Sequence, residues 1–288
     1  MSKQRTYSID DLALRLSSVS STPLRDIRYF VSELTGSSIA ELFGHVVLSD
    51  RQYQQLESMI GRRLRREPVA YILGHTEFWG LRLHVHPEVL IPRPDTEILV
   101  ETVLGQLHDA DCRCLDLGTG SGAITLALAS ERPEWLFDAV DQSPGAVECA
   151  RQNAAHLALG NGRLQFHCAD WTMLPAEIRA NAYDLVVANP PYIDTASEHI
   201  SEETKRFEPH RALYAPDLGL RDLFSLIDLA RSLLRPSGLL YLEHGYDQAA
   251  AVRSCFTQMA YSAVTTVQDY AGHDRVTYAQ WQGSIDRL

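Results

Sequence analysis

The sequence lacks the features of several large classes of protein. Its five cysteines are scattered over 288 residues without a Cys-x-x-Cys pair, which argues against a disulfide framework or a cysteine-based zinc site. No apolar run is long enough to cross a bilayer, and no apolar signal core follows the first residues. The formal net charge of −11 argues against a basic face for duplex DNA. We therefore expect a reduced, cytoplasmic, globular protein that binds neither membrane nor, stably, nucleic acid.

The most unusual stretch is Asn189-Pro190-Pro191-Tyr192, which follows the apolar run 183–188. Such a run is typical of a buried parallel strand. The two prolines stiffen the chain at the carboxyl end of that strand, where open α/β sheets bind ligands. The Asn189 side-chain oxygen and the Pro190 carbonyl could accept both hydrogens of a planar NH2 group, and Tyr192 could stack on it. This motif is a candidate catalytic and substrate-binding segment; the alternative is a rigid strand-to-loop turn.

Three earlier strands also end in residues suited to a ligand. The first runs into the glycine loop Gly118-Thr119-Gly120-Ser121-Gly122, whose backbone can turn tightly and approach a ligand closely. The second ends at Asp141, 19 residues after Gly122, where an acid suits the hydroxyls of a ribose. The third ends at Asp170-Trp171, which could bracket an adenine, although Trp171 could equally be a core aromatic. Together these strand ends predict one ligand site at one edge of a sheet.

The changing periodicity predicts two domains and a linker. Residues 1–75 carry helical stripes, residues 76–92 alternate like a β-hairpin, and residues 93–288 alternate between strands and helices, with a long loop from Ile193 to about Gly219. A basic run from Arg62 to Arg66 is either a solvated face near a helix end or a docking patch for an RNA or an acidic partner.

The chain resembles the class I S-adenosylmethionine-dependent methyltransferases and, more narrowly, the peptide chain release factor glutamine methyltransferases (the PrmC or HemK family). The resemblance covers nearly the whole chain, and its specific motifs are the following: Glu67-Pro68-Val69-Ala70-Tyr71, Glu77-Phe78-Trp79, Leu90 to Glu97 with Pro-Arg-Pro-Asp-Thr-Glu, Leu115 to Gly122, Asp170-Trp171, Asn189 to Ile193, Arg206 to Pro209 and Glu243-His244-Gly245.

The resemblance implies a Rossmann-like, seven-stranded, mostly parallel sheet, preceded by a small helical substrate-recognition domain and a hairpin linker. It implies that Gly118 to Gly122 bind the methionine part of S-adenosylmethionine, Asp141 the ribose, and Asp170 and Trp171 the adenine. Asn189 to Tyr192 would hold the glutamine of a Gly-Gly-Gln loop in a release factor, and Asn189 could also touch the cofactor. The products would be N5-methylglutamine and S-adenosylhomocysteine, formed by a monomer without a metal.

Three other functions remain open at this point. An N6-adenine methyltransferase acting on nucleic acid would use the same Asn-Pro-Pro-Tyr motif, although the acidic charge disfavours it. An NAD-dependent dehydrogenase would share the glycine loop and the acid, but it gives no reason for Asn189 and Tyr192. A non-catalytic module could retain the cofactor for structure alone.

Overall fold

The computed structural model describes residues 4–108, 111–160, 162–197 and 200–283. The strands are β1 (Gln4–Ser8), β2 (His45–Ser49), β3 (His75–Phe78), β4 (Leu81–His84), β5 (Arg113–Leu117), β6 (Leu136–Asp141), β7 (Leu164–Cys168), β8 (Tyr183–Ala188), β9 (Ile193–Asp194), β10 (Tyr214–Ala215), β11 (Leu234–Glu243), β12 (Tyr261–Gln268) and β13 (Asp274–Trp281). The α-helices are α1 (Ile9–Leu14), α2 (Pro23–Thr35), α3 (Asp50–Leu64), α4 (Val69–Leu73), α5 (Glu97–Gln106), α6 (Ala123–Glu131), α7 (Pro144–His156), α8 (Ala176–Arg179), α9 (Glu202–Phe207), α10 (Arg221–Leu233) and α11 (Ala249–Gln258).

The chain divides into two compact units. Unit 1 comprises Met1–His75 and Ile200–Phe207, and unit 2 comprises Thr76–His199 and Glu208–Leu288. The helix α9 therefore groups with unit 1, although it lies far along the sequence from the rest of that unit. None of the helices in the described ranges combines the length and apolar character needed to cross a membrane.

Unit 2 is built on a seven-stranded sheet with the order β12-β13-β11-β8-β5-β6-β7. The strands β11, β8, β5, β6 and β7 are parallel, while β13 pairs antiparallel with both β11 and β12. From β5 the chain first adds β6 and β7 on one side and then returns to place β8 on the other. The carboxyl ends of β5 and β8 therefore flank the topological switch point, where sheets of this type bind ligands.

Helices cover both faces of this sheet because the central strands are apolar on both faces. In β5, Cys114 packs into one core with residues of α5, α6 and α7, whereas Leu115 packs into a second core with residues of α8, α10 and α11. In β8, Val187 belongs to the first core and Val186 to the second. Adjacent residues of a strand point to opposite faces, which explains this division. The hairpin of β3 and β4 contributes Phe78 and Leu83 to the first core.

Unit 1 has its own apolar core, in which α1, α2 and α3 pack around residues such as Leu16, Ile27, Phe30 and Leu56. The unit also contains an antiparallel ribbon of β1 and β2, which the helical pattern of residues 1–75 did not predict. Both strands are five residues long, and β1 contributes no buried residue, so neither gives a strong alternating signal.

Two of the four arginines in the basic run at the end of α3 form ion pairs inside unit 1. Arg62 donates to both carboxylate oxygens of Glu67. Arg63 is buried and donates to Asp26 of α2 and to Glu203 of α9, each at 2.8 Å. These two side chains are therefore not free to form a docking patch.

Candidate active site

The loop between β5 and α6 has a left-handed backbone at Gly118, Gly120 and Gly122, with φ angles of +84°, +58° and +84°. Only glycine adopts such angles without strain. A Cβ atom on Gly118 would lie 3.5 Å from the indole of Trp171, so the loop passes close beneath that ring. The backbone N–H of Gly120 donates to Oδ2 of Asp141 at 2.9 Å. The glycines and Asp141 therefore form one continuous surface.

Asp141, at the end of β6, lines a cavity together with Gly118, Gly120 and Asn189. Its Oδ1 accepts a hydrogen bond from the backbone N–H of Ser143 at 2.8 Å. Burial raises the pKa of Asp141, and the two backbone donors oppose that rise. Because a carboxylate oxygen can accept more than one hydrogen bond, both oxygens can still bind hydroxyl donors in the cavity.

Thr119 and Ser121 are part of the same loop, but their side chains are buried. The Thr119 hydroxyl donates to Oδ2 of Asp116 at 2.8 Å, and the Thr125 hydroxyl donates to the same oxygen at 2.7 Å. Asp116 is fully buried, and this burial raises its pKa to about 6. The glycine backbone of the loop therefore lines the cavity. The buried Thr119 side chain stabilises the loop through its hydrogen bond to Asp116.

Asp170 and Trp171 line an adjoining cavity of about 370 Å³, and Trp171 also lines the first one. Oδ1 of Asp170 accepts hydrogen bonds from the backbone N–H and the hydroxyl of Thr172, at 2.8 and 2.7 Å. Arg221 and Asp222, at the beginning of α10, line this second cavity as well. The sequence does not predict these two residues as site residues, because they belong neither to a strand end nor to a recognised motif.

The Asn-Pro-Pro-Tyr motif begins where β8 ends, next to the switch point. Asn189 and Pro191 line the first cavity, and Pro190 is buried. The Nδ2 of Asn189 donates to the hydroxyl oxygen of Thr96 at 3.0 Å. The hydroxyl of Tyr192 donates to Oε1 of Glu243 at 3.1 Å. Two side chains of the motif are thus fixed by hydrogen bonds to residues elsewhere in unit 2.

The backbone of the motif is also held in place. The side-chain amide of Gln248 donates to the carbonyl oxygens of Tyr192, at 2.8 Å, and of Leu218, at 3.0 Å. Gly219 passes so close that a Cβ atom on it would lie 2.0 Å from the carbonyl oxygen of Tyr192. No larger residue fits at position 219 without moving the motif.

The Pro-Arg-Pro-Asp-Thr-Glu run connects the hairpin to α5, and each of its polar side chains has a partner in unit 2. The pairs are Arg93 with Glu208, Asp95 with Arg275, Thr96 with Asn189, and Glu97 with the backbone N–H of Trp79. The second oxygen of Glu208 also accepts a hydrogen bond from the backbone of Ile91. This run therefore fixes the positions of the hairpin, the motif and the end of the sheet relative to one another.

Glu243, at the end of β11, is only 1% exposed. Burial raises its pKa to about 7, while Thr96, Tyr192 and Arg275 favour the charged form. Its Oε2 has no hydrogen-bond partner among the described residues. Neither Glu243 nor Thr96 was a predicted site residue, because their proximity to the motif arises only from the tertiary fold.

Two family models match the sequence. The model of a methyltransferase domain matches residues 108–285, and the model of a PrmC N-terminal domain matches residues 9–74. With its mostly parallel seven-stranded sheet and the glycine loop at the switch point, the chain is a class I methyltransferase, the class whose methyl donor is S-adenosylmethionine.

The chain belongs more narrowly to the family of release factor glutamine methyltransferases. It is 47% identical over 260 residues to the release factor glutamine methyltransferase of Salmonella typhimurium. The aligned region covers 90% of this chain and 92% of that protein. It is 43% identical over 264 residues to the protein of the same description in Escherichia coli, with coverage of 91% and 94%.

Among solved structures, a methyltransferase from Pyrococcus furiosus superimposes with a TM-score of 0.51 and 17% sequence identity. The match covers 79% of this chain and all of that one. At this level of identity the similarity concerns the fold alone.

Proposed function

We propose that this chain methylates the side-chain amide nitrogen of the glutamine in the Gly-Gly-Gln motif of peptide chain release factors. The observation that carries this proposal is the position of Asn189 and Pro191, which line the same cavity as the glycine loop and Asp141. A carboxamide acceptor and a methyl donor can therefore meet at the switch point of the sheet.

The residues of the cavity fit S-adenosylmethionine. The glycines of the loop leave room that a Cβ would fill, Asp141 offers acceptors for ribose hydroxyls, and Asp170 and Trp171 flank space for an adenine. When bound, the cofactor supplies an electrophilic methyl group on a sulfonium. We assign Gly118 to Gly122 to its methionine part.

The chemistry of the motif follows from the poor nucleophilicity of a carboxamide nitrogen, whose lone pair is delocalised. In our proposal, Oδ1 of Asn189 and the carbonyl oxygen of Pro190 accept the two hydrogens of the substrate NH2 group. These acceptors aim the nitrogen and stabilise the positive charge that develops on it as the new bond forms. Pro191 keeps the segment stiff, and the Tyr192 ring packs beside the substrate.

The substrate is a protein, so recognition extends beyond the cavity. We assign it to an N-terminal helical domain, residues 1–75, with residues 76–92 as a β-hairpin linker and 93–288 as the catalytic domain. We further propose that the chain acts in the cytoplasm as a monomer and forms no stable complex with nucleic acid, in keeping with its net charge of −11.

The proposal is tested by methyl transfer to a release factor, followed by mass spectrometry of the Gly-Gly-Gln peptide. We expect one methyl group on the glutamine and none on DNA, RNA or a release factor whose glutamine is changed to glutamate. Asn189→Ala should reduce kcat by about 10²–10³-fold, the cost of losing one preorganised hydrogen-bonding group. Equal methylation of the glutamate variant would show that another residue is the target and that the role given to Asn189 is wrong.

Asn189→Asp is a sharper variant, because it keeps an acceptor of the same shape but adds a negative charge beside a sulfonium site. Cofactor affinity is measured in parallel for both variants. If weaker cofactor binding explains the whole loss of rate in Asn189→Ala, the proposal that the Asn189 amide binds the substrate is contradicted.

A further inference from the structure

The first cavity contains a cation that has no task in the proposed chemistry. Arg211 follows the Arg206-to-Pro209 motif by two residues and lines this cavity together with Gly120 and Asp141. It is the one Lys or Arg among the described residues that line the cavity. A guanidinium only donates hydrogen bonds, so a ligand that meets Arg211 must offer an acceptor.

The backbone fixes the place of Arg211 at the edge of the cavity. Before it, the buried carboxylate of Glu208 is held by the Pro-Arg-Pro-Asp-Thr-Glu run. After it, the carbonyl of Leu213 accepts a hydrogen bond from the backbone N–H of Ile193 at 3.0 Å, and β10 then pairs with β9. Arg211 lies between these two anchors in a 3-10 turn, His210–Ala212. Its backbone is therefore held against the segment that directly follows the Asn-Pro-Pro-Tyr motif.

The side chain of Arg211 extends from this segment to the start of α7. Its Nη2 donates to the hydroxyl oxygen of Ser143 at 3.0 Å. The backbone N–H of the same Ser143 donates to Oδ1 of Asp141 at 2.8 Å. Burial raises the pKa of Asp141, and the positive charge of Arg211 opposes that rise together with the two backbone donors. The cation and the carboxylate are therefore neighbours that share one contact residue at the cavity wall.

The hydroxyls of a ribose need both kinds of partner. Oδ1 and Oδ2 of Asp141 accept the backbone N–H groups of Ser143 and Gly120, so this carboxyl group acts as an acceptor. A ribose hydroxyl that donates to Asp141 has used its only hydrogen, while the lone pairs of its oxygen still need a donor. A buried acceptor without a donor costs free energy. The guanidinium of Arg211 has several N–H groups, so its bond to Ser143 leaves donors for a ligand.

We propose that Arg211 is a further cofactor-binding residue, which donates to the ribose oxygens of S-adenosylmethionine while Asp141 accepts their hydrogens. The inference rests on the proposed place of the ribose beside Asp141, and it does not depend on which group receives the methyl. Donor and acceptor both contact Ser143, so the two ribose hydroxyls are bound from two sides. S-adenosylhomocysteine has the same ribose, and Arg211 should bind it equally.

Titration calorimetry with S-adenosylmethionine and S-adenosylhomocysteine tests the inference. Arg211→Met keeps an unbranched stem but removes every donor. We expect the affinity for both ligands to fall about 10-fold, as for the loss of a hydrogen bond from a charged group. Arg211→Lys keeps the charge and a donor but not the planar fork, so its loss should be about threefold. A loss for S-adenosylmethionine alone would place the effect at the sulfonium and overturn the inference.

Arg253→Met is the matched control for loss of an arginine. Arg253 donates to the hydroxyl of Thr266 at the same distance of 3.0 Å, and it lines neither of the two cavities. The affinity of this variant for both ligands should equal that of the unchanged protein. An equal loss in the Arg253 and Arg211 variants would show a general effect of charge and overturn the inference.

Ligands that lack one ribose hydroxyl separate direct binding from a structural role. With the 2′-deoxy or the 3′-deoxy form of S-adenosylhomocysteine, the loss caused by Arg211→Met should shrink, because the bond that it removes is already missing. A structural role of Arg211, through Ser143 and the start of α7, would weaken all three ligands by the same factor. The same loss with all three ligands would therefore overturn the inference.

The outcomes also distinguish this inference from the assignment on which it rests. If Asp141→Ala weakens binding and Arg211→Met does not, Arg211 takes no part and the ribose still lies beside Asp141. If neither substitution changes the affinity, the ribose does not lie beside Asp141, and the inference fails with that assignment. Both outcomes are measured by binding alone, so the proposed methyl acceptor is unaffected by either.

Discussion

At the scale of single residues, the site depends on carboxylates held at different depths. Asp141 lines the cavity and still binds two backbone donors, whereas Glu243 is sealed beneath the motif. Burial raises the pKa of both groups, but only Asp141 is placed to touch a ligand. A carboxylate therefore lines the cavity at the end of β6, while at the end of β11 a carboxylate binds the hydroxyl of Tyr192.

Asp141→Ala should weaken S-adenosylmethionine binding by about 3 kcal/mol, or roughly 100-fold, because hydrogen bonds to a charged group contribute about 1.5–3 kcal/mol each. Titration calorimetry measures the effect. Asp141→Asn, which keeps one acceptor oxygen, should show a smaller loss. Because Asp141 also binds the loop backbone, thermal unfolding without cofactor serves as the control. Unchanged affinity in the alanine variant would remove Asp141 from the cofactor site.

The raised pKa of Glu243 predicts a dependence of stability on pH. In the unfolded chain this carboxyl ionises near its ordinary value of 4.5, and in the folded chain at about 7. Between these values the unfolded state loses its proton first, so the free energy of unfolding should fall as the pH rises from 4.5 to 7. Glu243→Gln cannot ionise and should show a smaller decline. Asp116, whose pKa is also raised, is present in both proteins and leaves the difference unaffected.

Urea unfolding of the two proteins at several pH values measures this difference. The stability of the unchanged protein relative to Glu243→Gln should decrease up to about pH 7 and then stay constant. Parallel curves over the whole range would show that Glu243 titrates normally in the folded state.

At the scale of elements, the sequence predicted those strands and helices that have a clear local pattern of apolar and polar residues. The runs of β5, β6 and β8 are apolar and end in glycine, acid or proline, so the strands were predictable, and so was the position of Gly118, Asp141 and Asn189 around one cavity. The helix α9 was not, because a six-residue polar segment inside a predicted loop has no helical period. The contact of Glu243 with Tyr192 could not be predicted either, since it depends on β11 pairing with β8.

A buried ion pair joins the helices α2 and α3 of unit 1, and we expect that breaking it weakens the local stability of this unit. Arg63 of α3 and Asp26 of α2 are only 7% and 6% exposed in their side chains. Arg63→Ala would leave the Asp26 carboxylate buried without its cation, which costs about 3–5 kcal/mol. Native-state hydrogen exchange of the α3 amides in the full chain measures this loss.

Arg65→Ala is the matched control for that substitution, because Arg65 lies in the same basic run and is exposed. We expect a change of less than about 0.5 kcal/mol. Equal protection of the α3 amides in both variants would mean that Arg63, like its neighbour, belongs to a solvated face.

At the scale of the whole molecule, the chain combines a methyltransferase domain with an N-terminal domain that has its own family model. The larger unit contains every cavity residue discussed above. The smaller unit includes α9, which follows the Asn-Pro-Pro-Tyr motif in sequence. A release factor is far larger than a glutamine side chain, so a unit without cavity residues can contribute to catalysis by binding the protein around the target loop.

A chain of residues 76–288 tests this division of labour. It keeps the hairpin, because Phe78 and Leu83 belong to the core of unit 2. We expect S-adenosylmethionine affinity within about threefold of the full chain, and kcat/KM for a release factor lower by more than about 100-fold, which corresponds to about 2.7 kcal/mol of lost binding energy. The isolated chain must first show cooperative thermal unfolding, which establishes that unit 2 folds alone.

A short Gly-Gly-Gln peptide distinguishes lost recognition from a damaged site, since α9 loses its partners in the truncated chain. Both proteins should methylate this peptide equally slowly, because it is too small to engage a recognition domain. A truncated chain that is slow on the peptide as well would indicate that removing residues 1–75 disturbs the segment after the motif. Equal kcat/KM of the two proteins for the release factor would show instead that the N-terminal unit takes no part in recognition, so that specificity must reside in unit 2.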